Sequence, residues 1–228
     1  MRDVAVVTGG GRGIGRACAL ALAARGVDVA VASRTKHEVE EATAALRKLG
    51  VRAEGFLCDV SNERDVAEMA KGVHSSLGVP TFVVNNAGAL RSAQLHEMAE
   101  SDWDTVIGAN LKGAFLVTRA FLPGMLKNRR GRVIAVGSIS GTLGTAGLSA
   151  YCASKWGLTG MMKSLAEELR GTGVQAISVL PGSVDTAMLK GSKYKPDMSP
   201  EDVANLVVYA ALDAPSAMNG SAIEIFGP

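Results

Sequence analysis

Long apolar runs, an excess of one charge and a cysteine framework are all missing from this chain. Its longest apolar stretches are short pieces such as VAVV and FVV, far below the roughly 20 residues a membrane-spanning helix needs. A strand pattern begins within three residues of the N-terminus, so no cleavable leader is expected and a cytoplasmic location is. A formal net charge of +2, spread over a mixed surface, gives no general pull toward nucleic acid or membrane. The one basic cluster is KNRRGR, Lys127 to Arg132. It reads either as a solvated helix end, with cations near the last carbonyls, or as a contact for an anionic partner. Three cysteines, Cys18, Cys58 and Cys152, are odd in number and lack metal-like spacing, which suits small buried side chains in a reducing compartment. His37, His74 and His96 share no spacing for a metal either and read as surface residues, so no metal is expected. Internal repeats, low-complexity tracts and linkers are absent as well.

What is present is alternation. At 228 residues the chain suits one sizeable core. Short β-branched runs, Asp3 to Thr8, Val27 to Ser33, Arg52 to Cys58, Thr81 to Asn85, Arg132 to Ser138, Val174 to Leu180 and Ala222 to Phe226, alternate with helical periods near 13–25, 36–49, 62–77, 100–127, 150–170 and 200–212. This is the mark of parallel strands joined by crossover helices. The expected fold class is therefore α/β, a Rossmann-type doubly wound parallel sheet of about seven strands, with helices on both faces, in one domain. A nucleotide-binding half would span about 1–90 and a catalytic half about 91–228. Punctuation agrees: Gly26 and Gly50 follow helix ends where a left-handed residue is wanted, and Ser61 and Ser199 precede helix starts, the latter with Pro200 at the first helical position. Strand order cannot be read from pattern, but such a sheet binds ligands beyond the carboxyl ends of its strands.

The first strand runs into TGGGRGIG, Thr8 to Gly15, and straight on into a helix. Glycine there lets backbone approach a pyrophosphate, and amides at the helix N-terminus favour its charge. The second strand ends in Ser33, Arg34 and Thr35 with no carboxylate, and Arg12 lies inside the glycine loop. An acid at that strand end would bind a ribose 2′-hydroxyl, whereas arginine accommodates a 2′-phosphate, so NADP is expected over NAD. In SAYCASKWG, Tyr151 and Lys155 stand one helical turn apart on one face. Alone, such a pair is commonplace on helix surfaces.

Its company is not. Thr8, Gly9, Gly13 and Gly15 form a Thr-Gly-x-x-x-Gly-x-Gly pattern, Asn85 to Gly88 read Asn-Asn-Ala-Gly, Asp59 and Val60 follow the third strand, and Asn110, Ser138, Tyr151 and Lys155 precede PGSVDT. In order and spacing these motifs resemble the short-chain dehydrogenase/reductase family nearly end to end. The resemblance implies a coenzyme site of Thr8, Gly9, Gly11, Arg12, Gly13, Ile14, Gly15, Ser33, Arg34, Thr35, Asp59, Val60, Asn86, Ala87, Gly88, Tyr151, Lys155, Pro181, Gly182, Val184 and Thr186. It implies a catalytic group of Asn110, Ser138, Tyr151 and Lys155. Tyr151 would exchange a proton with the substrate oxygen, Ser138 would hydrogen-bond that oxygen, and Lys155 would lower the phenol pKa and hold the nicotinamide ribose. Asn110 would hold a water linking Lys155 to solvent.

The implied reaction is hydride transfer between NADP(H) and a small-molecule ketone or secondary alcohol. The look is nearest to 3-oxoacyl-[acyl-carrier-protein] reductases and broad carbonyl reductases, with an acyl carrier protein as a partner that KNRRGR would meet. Between Thr186 and Ser199 lies a short segment whose Lys190, Lys193 and Lys195 read as solvated, and a short substrate lid implies an open site. The resemblance also implies a homotetramer or homodimer built on segments 100–127 and 150–170, where Gly157, Gly160 and Ala166 would permit close approach. The competing class is a coenzyme-binding regulator without turnover, which an eroded catalytic group would favour; all four residues are intact.

Overall fold

The structure, a computed structural model, describes residues 2–190 and 195–227. Among these residues seven strands form one sheet: β1 (Val4–Thr8), β2 (Asp28–Ser33), β3 (Ala53–Leu57), β4 (Phe82–Asn85), β5 (Gly131–Val136), β6 (Val174–Pro181) and β7 (Ala222–Ile225). Every pairing is parallel, in the order β3-β2-β1-β4-β5-β6-β7. Winding reverses between β1 and β4, and the crevice at that reversal opens at the strands' carboxyl ends. The seven expected strands match these within one or two residues at each end.

Helices cover both faces. On one lie α1 (Gly13–Ala24), α2 (Lys36–Arg47) and α7 (Pro200–Val208), packed with Val7, Val29, Val31 and Ile177. On the other lie α3 (Glu63–Ser76), α5 (Gly113–Asn128) and α6 (Ser149–Glu168), packed with Val6, Val83, Val133 and Ala176. Alternate residues of one strand thus serve two cores, which is why β1, β2 and β4 read as continuous apolar runs. Each valine so buried contributes roughly 1.5–3 kcal/mol.

The helical stretch expected over 100–127 is not one regular helix. It is α4 (Glu100–Ile107), a π turn over Gly108–Lys112, then α5. A second π turn, Tyr209–Asp213, extends α7. Gly26 and Gly50 have φ of +79° and +80°, as their places after α1 and α2 require. Ser61 does not cap α3. Asn62 does, accepting from the amides of Arg64 and Asp65, while the Ser61 hydroxyl donates to Asp59 at 2.7 Å. Ser199 caps α7 in a full capping box with Asp202, and Pro200 opens the helix.

At the amino end of the sheet, charges are closed into the fold. Asp28 is fully buried and accepts from the Arg52 amide at 2.8 Å and its Nε at 2.9 Å. Asp3 pairs with Arg130 at 3.0 Å and accepts from the Thr81 hydroxyl at 2.9 Å. Arg132 donates to the carbonyls of Ala210 and Ala214. Two of the four cations of KNRRGR, Arg130 and Arg132, are therefore clamped within the fold. The run joins the end of α5 to the start of β5, where Arg132 lies about 20 Å from Ser138 at 3.3 Å per strand residue.

Candidate active site

Thr8 ends β1, and its hydroxyl ties two strands to one loop. It donates to the Val84 carbonyl at 3.3 Å and accepts from the amides of Asn86 at 3.0 Å and Ala87 at 3.1 Å. Asn86 answers by donating Nδ2 to the Thr8 carbonyl at 2.9 Å. Gly9 turns with φ +64°, and a Cβ at Gly15 would lie 2.2 Å from the Gly9 carbonyl, so this turn closes onto the first turn of α1 only with glycine at both positions. Asn85 is buried, donating to the Thr118 hydroxyl at 2.9 Å, and Gly88 lies against Asn110.

α1 starts without a side-chain cap and without an acid in its first turn. Its first amides lack intrahelical partners and, with the helix dipole, suit an anion. Across from them, Thr186 comes within 3.4 Å of a Cβ placed on Gly13, so the loop and the segment after β6 form two walls of one cleft. Pro181 ends β6, the Gly182 amide donates to the Ile225 carbonyl at 2.9 Å, and Val184 pairs with Met198. That pairing pins together the two ends of the short segment; its Lys193 lies outside the described residues. A bare helix start facing glycine backbone, with a second wall, fits the pyrophosphate of a dinucleotide.

Both arginines expected to hold a 2′-phosphate already face carboxylates. Arg12 Nη1 donates to Glu38 at 3.2 Å, and Arg34 lies 3.9 Å from Asp59. Burial works against the charge of Asp59, but hydrogen bonds from the Ser61 hydroxyl and amide, and Arg34 beyond them, outweigh it and hold its carboxyl below the usual range. Ser33 accepts from the Thr35 amide at 3.4 Å, and Val60 is buried against Gly113. The carboxylate absent from the end of β2 is thus supplied from α2: Glu38, three residues into that helix, folds back on the glycine loop. Its signal in the sequence was an acid in the first turn of a helix, and only the fold shows which loop it meets.

At the carboxyl end of β5, Ser138, Tyr151 and Lys155 come together and are buried. Burial pushes the Tyr151 phenol up, partly offset by its hydrogen bond with Ser138 and reinforced by Cys152 beside it. Lys155, one turn on, donates to the Val136 carbonyl at 3.0 Å, and its Nζ is 5.6 Å from the centre of the Tyr151 ring. Burial lowers Lys155 to about 8. Asn110 lies in the π turn and is locked by its whole amide. Oδ1 accepts from Ala89 at 2.7 Å, while Nδ2 donates to the Ala89 carbonyl at 3.0 Å and to the Ser154 hydroxyl at 2.9 Å. Ser154, which belongs to none of the motifs, donates on to the Tyr151 carbonyl at 2.7 Å, so the π turn and α6 are joined beneath the tyrosine. Leu90, Met98, Trp103 and Leu148 pack as an apolar wall against the small cluster that Tyr151 forms with Val106 and Ala150. Cys152 is buried and free, like Cys18 and Cys58.

A model of the short chain dehydrogenase family matches residues 3–197. Among characterised relatives, 3-oxoacyl-[acyl-carrier-protein] reductases of Thermotoga maritima and Pseudomonas aeruginosa are each 33% identical, over 98% of this chain and 96% of theirs. A 2-(S)-hydroxypropyl-CoM dehydrogenase of Xanthobacter autotrophicus is 30% identical over 99% of this chain and 95% of its own.

Proposed function

The chain belongs to the short-chain dehydrogenase family of oxidoreductases, and on that premise we propose that it is an NADP(H)-dependent reductase of 3-oxoacyl thioesters or related ketones, with Tyr151 as the proton donor. The observation that carries the reading is the buried Tyr151 phenol against Ser138, with Lys155 one helical turn away, at the carboxyl end of the sheet. The glycine loop, Asn86, Thr186 and the first amides of α1 would hold the coenzyme's pyrophosphate. Arg12 and Arg34 favour a 2′-phosphate. When bound, the nicotinamide supplies or accepts the hydride.

The residues divide the remaining work. Ser138 and Tyr151 present two hydroxyls to one substrate oxygen, polarising a carbonyl and steadying the alkoxide as charge develops. Tyr151 then gives up its proton, a step that its raised pKa opposes in the phenolate direction. Lys155, largely protonated at pH 7 with a pKa of about 8, offsets that opposition as its ammonium turns from the Val136 carbonyl toward the phenol. Asn110 and Ser154 fix the tyrosine's turn of α6 and the π turn beneath it, and solvent protons would reach Lys155 on a water held at Asn110. The apolar wall of Leu90, Met98, Trp103 and Leu148 favours a ketone on an apolar chain or ring. The names of the 3-oxoacyl reductases support the thioester within that class.

Self-association as a dimer or tetramer is supported by exposed Phe115 on α5 and Trp156 on α6. Of the small residues in those segments, Gly157 packs on Leu111 and Ala166 on Gly220 within the subunit; Gly160 is open. Among the described residues no helix is long and apolar enough to cross a membrane. The test of function is NADPH oxidation with acetoacetyl thioesters, aryl ketones, diketones and quinones. Turnover on the first two, lost in Tyr151→Phe, is expected. Tight NADPH binding with no turnover on any of them would overturn the reading in favour of a coenzyme-binding protein.

A further inference from the structure

We propose that Glu38 is a resident competitor for the coenzyme's 2′-phosphate: a carboxylate that occupies Arg12 and damps the preference for NADP(H) over NAD(H). The inference rests on the reading of Arg12 and Arg34 as phosphate ligands. Those two cations face two anions, Glu38 and Asp59, so the local charge is balanced. The neighbouring Lys36 is tied to Glu40 at 3.8 Å and adds little.

The two partners in the Glu38 pair are unequal. The Arg12 side chain is 70% exposed and that of Glu38 only 16%, so the arginine is free to swing while the acid is seated. Glu38 is seated for two reasons. A Cβ on Gly11 would lie 2.8 Å from the Glu38 Cβ, which places the first turn of α2 directly on the glycine loop, and an acid in that turn is favoured by the helix dipole. A 2′-phosphate drawing on Arg12 therefore does so with the carboxylate still beside it. An exposed pair of this kind contributes little to orienting Arg12. Repulsion between a phosphate near −2 and a seated carboxylate, by contrast, is felt across a guanidinium's width. Glu38 thus acts against the phosphate more than it acts for it through Arg12. Asp59 differs in holding Arg34 at the longer distance of 3.9 Å and in being fixed by Ser61.

Calorimetric titration with 2′,5′-ADP and with 5′-AMP, which differ only in the 2′-phosphate and carry no nicotinamide, separates this effect from turnover. Glu38→Gln keeps the side chain's shape and should bind 2′,5′-ADP about tenfold more tightly, as expected for removing one unit charge at that range, with 5′-AMP within about twofold. The gain should shrink as salt is raised and largely vanish when Arg12→Ala is combined with it. Glu38→Ala should move in the same direction, and Glu38→Asp should keep the original discrimination. Unchanged or weaker 2′,5′-ADP binding in Glu38→Gln, with 5′-AMP binding retained, overturns the inference. Loss of 5′-AMP binding in both the Gln and Ala variants overturns it too, because Glu38 would then be a support of the loop. The NADP reading is judged separately, by whether the unaltered protein binds 2′,5′-ADP more tightly than 5′-AMP and Arg12→Ala removes the difference.

Discussion

The two ends of the sheet are built from the same strands and treat charge in opposite ways. At the amino end, Asp28 meets Arg52, Asp3 meets Arg130, and Arg132 is spent on two backbone carbonyls. At the carboxyl end, a phenol and an ammonium are buried against their own charged forms, Arg12 and Arg34 are lightly held, and α1 begins with no cap. Burial is therefore not what distinguishes a structural charge from a chemical one here. What differs is how fully the charged form is met: Asp28 has a guanidinium and an amide, whereas Lys155 has a single carbonyl.

The sharpest test of that contrast exchanges one atom. Tyr151→Phe removes only the phenolic oxygen, and turnover should fall about 10³-fold, the scale of a lost proton donor. Coenzyme affinity should stay within about twofold, and the melting temperature should not fall, because the oxygen removed is a buried polar atom. Steady-state rates, a binding titration and a thermal scan read all three. Turnover within tenfold of the parent would break the assignment.

The matching change at the other end is Asp28→Ala. It strips a buried amide and the Arg52 guanidinium of their acceptor, and about 2 kcal/mol of stability should be lost. The loss is limited because the guanidinium reaches water. The urea midpoint should drop while kcat/KM at 25 °C stays within about twofold. A tenfold fall in kcat/KM without loss of stability would erase the distinction between the ends.

Lys155 lets the contrast be read as pH dependence. Its pKa is near 8 folded and 10.5 unfolded, so between those values the unfolded chain binds more protons, and this group makes stability rise with pH. Cys18 and Cys58 act the other way. Burial lifts their thiols from 9.0 to about 12, so above pH 9 the folded chain binds more protons and stability falls. Denaturation midpoints should therefore climb only slightly from pH 8 to 9, by about 0.3 kcal/mol once the thiols offset most of the lysine's contribution, and turn down above. Lys155→Met should abolish the climb and keep the descent. A climb that survives in Lys155→Met would show that another group carries it.

Much of this was legible in the sequence, and the rest was hidden for identifiable reasons. Strand and helix alternation, the glycines at 26 and 50, and the motif residues from Thr8 to Thr186 are local signals, and each lies where local chemistry places it. The π turn at Gly108–Lys112 is not local: its Asn110 amide is held by Ala89, twenty-one residues back, and by Ser154 on another helix. Nothing within 100–127 announces those partners. Glu38 escaped for a similar reason, since an acid in the first turn of α2 looks like dipole compensation until α2 is seen lying on Gly11. Ser61 and Asn62 are both good caps, and only the bond from Ser61 to Asp59 decides between them.

The smallest change asks whether position alone could explain the contrast. Helix α7, like α1, starts at the carboxyl end of the sheet, but its start is closed: the Ser199 hydroxyl accepts from the Asp202 amide at 3.2 Å and donates to its carboxylate at 2.7 Å. If the carboxyl end were sensitive as a place, Ser199→Ala should impair coenzyme binding. If partnering is what matters, it should behave as a change at the amino end does, lowering stability by about 1 kcal/mol and leaving NADPH affinity and turnover within about twofold. Restoring the cap with Ser199→Thr or Ser199→Asp should recover most of that stability. A loss of coenzyme affinity in Ser199→Ala at full stability would instead tie α7 to the cleft and return the explanation to location.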